Sequence, residues 1–413
     1  MKLNYLIKTI FSVFFLSSPH LIFADVLLPV DKDVKEALYT SPRVAGATSK
    51  KNALNYKADS IQSGHYEFTL KGSYKNRDVS GQGGGQFSEN EISIERPIRS
   101  WGKGEADQNL ANVTKKYANI LYADSLHEAS RDLLRLWFKH LKALKYRNTA
   151  QLNKNIADEI LHITEVRFKV GEVAELDVQL AKAEQGRLKA ALDIAQSEEF
   201  SSVSNLNNRY PPIKPIQDLI FSEVPVLEGR QEIFLKEYIN NNHELNMLKT
   251  QSEQYVMSAK RSDLEKIPDP TIGLFSIRER NGNETINGLS LSIPIPAEHR
   301  KFNSDMANAE AEVANEKVVE LEQILSAEFQ SLWNEMVSKR SASFNLFESA
   351  KNQNEAAEKA KKAYMLGEGS ISDLIMARRL ANENQSSADL VKLDAFESYY
   401  RIKLDLHQIW YFD

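Results

Sequence analysis

Two carboxylates, Asp177 and Asp373, each stand six residues after a glycine in otherwise helical sequence. Their surroundings repeat. Phe168, Gly171, Glu172, Asp177, Val178, Ala181 and Lys182 in RFKVGEVAELDVQLAKAE match Tyr364, Gly367, Glu368, Asp373, Leu374, Ala377 and Arg378 in AYMLGEGSISDLIMARRL, each pair 196 positions apart. Glycine tolerates the left-handed backbone that lets a helix reverse. An acid near the start of the next helix favours its exposed N–H groups and the positive end of its dipole. On that reading both aspartates are helix-start residues. A second chemistry is open to them. Repeated around a symmetry axis at a constriction, such a carboxylate forms a ring that attracts cations and repels anions.

Other reactive constellations are missing from the sequence. There is no phosphate-binding glycine loop, nucleophile elbow or cysteine–histidine metal spacing, and no cysteine at all. The run GQGGGQ at 81–86 joins two strand-like segments with no helix after it, so it reads as a surface loop. The chain has eight histidines, and they are scattered. His140 lies on an apolar helical stripe and reads as a packing residue. His162 and His407 read as isolated, and His299, beside Arg300 at a strand–helix junction, reads as a partner for backbone. No enzyme, cofactor or metal site is expected. The formal net charge is −5 with no basic patch, which argues against nucleic acid.

The elements that must position the aspartates are long. Across 103–170 only Gly104 interrupts, and across 301–366 there is neither glycine nor proline. At 1.5 Å per residue each helix would span about 100 Å, which implies a coiled coil or helical barrel. Leu126, Ala129, Leu133, Leu136, His140 and Ala143 form a local heptad seam, and Val318, Leu321, Leu325, Phe329, Leu332 and Met336 nearly repeat it.

Other segments alternate with a period of two. Tyr66, Phe68, Leu70 and Tyr74 share one face, and Glu67, Thr69, Lys71 and Ser73 the other; 91–95 is the expected partner strand. Leu289, Leu291 and Ile293 alternate with Ser290 and Ser292, while 271–277 is apolar on both faces. Such strands suit a soluble β-subdomain or a transmembrane barrel. Charges opposed to aromatic rings favour the barrel. Four strands cannot close around a pore, so that reading requires an oligomer.

Further matches hold the same spacing: ISIERPI at 92–98 meets LSLSIPI 197 positions on, and TSPRV at 40–44 meets NNHEL 201 on. A nearly constant offset predicts a duplication. The expected order is a signal peptide, 1–24; a first repeat, 25–210, with one helix, a strand pair in 64–98 and a long helical hairpin turning near 171; a proline-rich segment, 211–230; and a second repeat, 231–413, with one helix, a strand pair in 270–296 and a long hairpin turning near 367. The signal reading rests on Lys2 and Lys8, an apolar run at 10–16 and the closing Ile22-Phe23-Ala24. Its removal takes the formal charge from −5 to −7. Without cysteine the mature chain has no disulfide and no lipid-anchored N-terminus. No apolar run of roughly 18 residues remains, so any membrane part must be made of strands.

The duplicated motif, with Asp six and Ala ten residues after the glycine, resembles the TolC-type outer-membrane efflux proteins of Gram-negative bacteria. The resemblance covers nearly the whole mature chain. RPIRSWGKGEADQNLA at 96–111 and SIPIPAEHR at 292–300 resemble the cobalt–zinc–cadmium resistance branch, where a strand ending in proline precedes a Gly-Lys pair and the long helix. The resemblance implies a mainly α fold with a small β part. Three copies would join four strands each into a twelve-stranded transmembrane β-barrel, with twelve helices forming a periplasmic tunnel and 211–230 in a belt around its middle. It implies an outer-membrane location extending into the periplasm and a passive exit duct, with heavy-metal cations as cargo on that branch. Gly171, Glu172, Gly367 and Glu368 would form the tips that dock a periplasmic adaptor (membrane fusion) protein, which links the duct to an inner-membrane RND-type transporter. Asp373 would line the narrowest opening, and Tyr364 would latch to Asp177. Two positions depart from the pattern: Gly369 stands where a basic residue is expected, and Met376 where a second acid is. The implied latch is incomplete, the acid ring single, and the gate looser. The competing reading is a periplasmic coiled-coil adaptor or scaffold without a pore. An adaptor would have one hairpin with β-domains threaded around it, whereas two hairpins and two strand pairs recur here.

Overall fold

A computed structural model describes residues 27–219 and 223–412. The signal peptide expected at 1–24 lies outside these residues, as do 220–222 of the proline-rich segment. Helices α1 (Asp31–Tyr39) and α2 (Pro42–Ser63) lead into strands β1 (Thr69–Val79) and β2 (Gly85–Pro97), then helices α3 (Lys103–Lys169) and α4 (Glu175–Arg209). The same order follows in α5 (Gln231–Asn241), α6 (His243–Leu264), β3 (Thr271–Glu279), β4 (Glu284–Ser292), α7 (Glu298–Met365) and α8 (Ile371–Asp405). The chain is mainly helical with one small antiparallel sheet.

Two local expectations need correction. Each half opens with two helices rather than one. The break falls at an N-cap: the Ser41 side chain accepts from the Val44 N–H at 3.4 Å, and Asn242 Oδ1 from the Leu245 N–H at 2.7 Å. These caps recur 201 positions apart, each satisfying a donor that the new helix leaves open. The first strand also starts at Thr69, not Tyr66. Tyr66 is drawn away instead, its hydroxyl donating to Asp269 Oδ2 at 3.0 Å while the Arg99 guanidinium lies 4.5 Å above its ring.

The long helices pair as hairpins, α3 with α4 and α7 with α8, and α3 also packs on α8. Midway along them the core is aromatic. Trp137, Phe138, Phe329, Phe396 and Tyr400 are buried together, joined by Tyr210 and by Ile213, Val224 and Leu227 from the proline-rich segment that follows it. That segment and the Tyr210 before it are tied down by polar bonds as well: the Tyr210 hydroxyl donates to the Ala129 carbonyl at 3.0 Å, and His140 Nε2 lies 3.1 Å from the Ile216 carbonyl. Burial lowers the His140 pKa, in keeping with a packing role.

The sheet runs β1-β2-β3-β4, antiparallel throughout, with β1 and β4 at its edges. Its register places Leu70, Ile94, Leu274 and Leu289 in one row and Ile272 beside Leu291 in another. All six side chains are exposed. The opposite face carries a ladder of ion pairs, Lys71–Glu95 at 2.5 Å, Lys75–Glu91 at 3.5 Å and Arg77–Glu89 at 3.1 Å. This resolves 271–277. Phe275 is on the charged face, where its ring lies against Gly288; a Cβ there would come within 2.4 Å of it.

Sheet and helices meet at a buried cation. Lys103, whose side chain is 0% exposed, bonds Asp269 Oδ1 at 2.9 Å and Glu265 Oε2 at 3.2 Å. Beside it, Asp107 pairs with Arg261 at 2.5 Å and Arg99 at 3.6 Å. The Gly-Lys pair at 102–103 thus anchors α3 to the start of β3.

Candidate functional site

At the end of α3, Gly171 takes φ +79°, and at the end of α7, Gly367 takes φ +81°. Both make one bond pattern. The Glu172 N–H donates to the Arg167 carbonyl at 2.9 Å and the Gly171 N–H to Phe168 at 3.0 Å; Glu368 donates to Ala363 at 2.9 Å and Gly367 to Tyr364 at 3.1 Å. This is the Schellman arrangement, which satisfies carbonyls that a helix end leaves open. Each reversal is followed by a helix whose N-terminal turn holds the aspartate, Asp177 in α4 and Asp373 in α8. Glu172 and Glu368 are exposed beside the glycines.

The two restarts differ. Ser370 caps α8: its hydroxyl accepts from the Asp373 N–H at 3.1 Å and donates to Asp373 Oδ2 at 2.7 Å, so the cap and the aspartate side chain hold each other. Ala174 at the matching position offers no side-chain cap. Asp373 therefore does helix-start chemistry and is also exposed, whereas Asp177 is half-buried.

Tyr364 is 2% exposed and does not meet Asp177; among the described residues no hydrogen bond joins them. It turns instead onto α3, where its hydroxyl lies 2.9 Å from Thr164 Oγ1. Thr164 gives its own proton to the Ile160 carbonyl at 2.8 Å, so the tyrosine is the donor. Arg167 completes the junction. Its guanidinium lies 5.0 Å from the Tyr364 ring centre, donates to the Tyr364 carbonyl and pairs with Glu172 at 3.1 Å. Gly369 and Met376 remain where the resemblance leads one to expect charge, but Arg167 brings a cation to the tip from the other half. Ile160, Tyr364, Ile371 and Leu374 form a small core behind it.

Further along the hairpins Arg379 of α8 donates to Glu184 of α4 at 2.6 Å, and Arg187 donates to the same carboxylate at 2.6 Å. Burial alone would raise the Glu184 pKa; the two guanidinium groups outweigh it and hold it below the usual range. Thr164, Arg167 and Glu184 were not read as site residues from the sequence. One signal was available. At the 196-residue offset Thr164 and Arg167 match Ala360 and Ala363, so the copies differ where they face each other.

His407 also needs correction, since it is not isolated. Its ring centre lies 4.7 Å from that of His243 and 5.4 Å from that of His127. The chain turns back after α8, with His407 at φ +58°, and so reaches α3 and α6.

No family model matches the chain, and no curated protein matches its sequence. Solved structures do match in shape. The outer-membrane channel OprN shares 14% identity with a TM-score of 0.77 over 92% of this chain and 90% of that one. The outer membrane protein VceC from Vibrio cholerae shares 15% with a TM-score of 0.73 over 92% and 95%, and the Campylobacter jejuni CmeC outer membrane channel 14% with 0.70 over 91% and 85%. Matches of this extent over nine-tenths of the chain show the shape alone, and in that respect the chain has the fold of the TolC-type outer-membrane channels.

Proposed function

We propose that the chain is the outer-membrane channel of a tripartite efflux system, a passive exit duct that catalyses nothing itself. The observation that carries this is the two-faced sheet. One face presents an exposed apolar row from Leu70 to Leu289 and the other a ladder of ion pairs, an arrangement that suits lipid outside and water within. The strands have 11, 13, 9 and 9 residues, close to the roughly 9–11 that cross a bilayer on a tilt. Trp101, 98% exposed just beyond β2, suits the aromatic belt at a membrane surface. Among the described residues no helix is long and apolar enough to cross a membrane.

Open edges at β1 and β4 cannot face lipid, because unpaired backbone groups there cost several kcal/mol each. Pairing β4 of one copy with β1 of the next satisfies them, and a homotrimer closes a barrel of twelve strands. The helical tips support the same assembly. Tyr364 is 2% exposed while Phe168, its counterpart in the first half, is 43% exposed. A neighbouring copy would cover Phe168 much as α3 covers Tyr364. The tips around Gly171, Glu172, Gly367 and Glu368 would then dock a periplasmic adaptor fed by an inner-membrane RND-type pump, with heavy-metal cations as the cargo implied by the branch resemblance. Planar-bilayer conductance of the detergent-purified chain tests the reading. Stable channels from heat-modifiable trimers are expected; a protein that stays soluble without detergent and conducts nothing would be the pore-free scaffold.

A further inference from the structure

Three histidines from distant parts of the chain meet on the same flank of the helices, away from both the tip and the sheet. His127 lies on α3, His243 is the first residue of α6, and His407 follows α8. One ring nitrogen of each lies within 4.8 Å of the others, and all three residues are half-buried. Counted along α3, the cluster stands about 36 Å from the sheet junction and about 63 Å from the tip. It is therefore separate from every group discussed under the proposed channel role.

Three imidazoles at this spacing make the core of a tetrahedral site that keeps one position open. Two further features fit a metal ion. Asp405 Oδ1 lies 3.2 Å from His127 Nε2, and that carboxylate is buried and held by Arg131 at 2.7 Å and Arg401 at 2.9 Å. A histidine that donates one ring N–H to a fixed carboxylate presents its other nitrogen as a well-oriented ligand. Next to the cluster is a cavity of about 240 Å³ lined by His127, His243, Tyr122 and Trp410. That is room for a water as fourth ligand.

We propose that His127, His243 and His407 bind one divalent transition-metal cation of the class that prefers imidazole, such as Zn²⁺, Co²⁺ or Ni²⁺. The ion ties the segment after α8 to α3 and α6. The Phe412 carbonyl already accepts from the Tyr39 hydroxyl at 3.1 Å in the same place, so the cross-link would lock the end of the chain onto the helical belt. The alternative is a plain aromatic stack, extended by Tyr411, whose ring lies 4.6 Å from His407.

The experiment is a titration of the full chain, purified without a histidine tag, with Co²⁺ followed by visible absorption and with Zn²⁺ by equilibrium dialysis. The expected result is one ion per chain with a tetrahedral cobalt spectrum. His243→Gln and His407→Gln should each weaken binding at least tenfold, while His162→Gln and His299→Gln leave it unchanged. If the unmodified chain takes up no ion, the cluster is an aromatic stack and the proposal fails without any variant. It fails equally if uptake survives the double change His243→Gln, His407→Gln.

Discussion

The hydroxyls of Thr164 and Tyr364, 200 residues apart in the chain, lie 2.9 Å apart and buried. They join the end of α3 to the end of α7. Tyr364→Phe removes the donor but leaves Thr164 bonded to the Ile160 carbonyl, so the cost should be near the ordinary net value of about 1 kcal/mol. Arg167→Ala removes the Glu172 ion pair, the bond to the Tyr364 carbonyl and the contact with its ring. Hydrogen exchange at the amides of 171–174 and 367–370 measures both. Exchange should speed roughly fivefold in Tyr364→Phe, about 1 kcal/mol of local opening, and more in Arg167→Ala.

Gly171→Ala and Gly367→Ala should each cost on the order of 1–2 kcal/mol, the penalty of a Cβ in the left-handed region. Steric clash contributes nothing at Gly171, where an added Cβ meets no atom within 4 Å, and at Gly367 the nearest is Arg167 Nη2 at 3.5 Å. Near-equal losses in thermal stability would identify backbone strain as the cause. A much larger loss at one glycine would point to a contact.

The legibility of these features in the sequence follows their range. The long helices are readable because the lack of breakers accumulates over 67 and 68 residues. The strands are readable from alternation, yet the start of β1 is not, because Tyr66 is captured by Asp269, 203 positions away. Neither the Thr164–Tyr364 bond nor the histidine cluster leaves a local trace. The three histidines are separated by 116 and 164 residues, and only the return of the chain after α8 brings them together. Even the duplication, which points to the tips, hides their partners, since Thr164 and Arg167 face Tyr364 through the differences between the copies.

Ile92 is exposed on the apolar face of the sheet near the middle of β2, and Ser73 is on the charged face of β1. Arginine on a lipid-facing position near the bilayer midplane costs about 2–4 kcal/mol, and on a lumen-facing one far less. Ile92→Arg should therefore abolish insertion into lipid vesicles while Ser73→Arg inserts normally. Equal behaviour of the two would contradict the barrel.

Lys103→Met should destabilise the sheet–helix junction by about 3 kcal/mol, the lower end for breaking a buried pair because Glu265 is 40% exposed. Acid should erase part of that difference. Burial would raise the Asp269 pKa, but bonds from Ser100, Lys103 and Tyr66 outweigh it and hold it at about 2. A folded value below the ordinary one of about 3.9 gives stability that is present above pH 4 and lost as pH falls towards 2. The gap in melting temperature between wild type and variant should narrow across that window; a constant gap would mean Lys103 acts through packing alone.

The helix-start role of Asp373 and the ring role proposed for it can be separated by substitution. Its backbone N–H and side chain both bond the Ser370 hydroxyl, and its exposed carboxylate would face the axis of a trimer. Ser370→Ala removes the cap, costing about 1 kcal/mol, but keeps the charge. Asp373→Asn keeps the backbone bond to Ser370 and an oxygen able to accept from its hydroxyl, but removes the charge. If three carboxylates line the opening, Asp373→Asn should reduce the preference for cations over anions and alter single-channel conductance, because the ring loses all of its charge at once. Ser370→Ala should shift thermal stability and leave selectivity where it was. Met376, where a second ring is missing, makes the test clean, since no neighbouring acid one turn on can compensate. An unchanged permeability ratio in Asp373→Asn would leave Asp373 as a helix-start residue and place the selective constriction elsewhere along the duct.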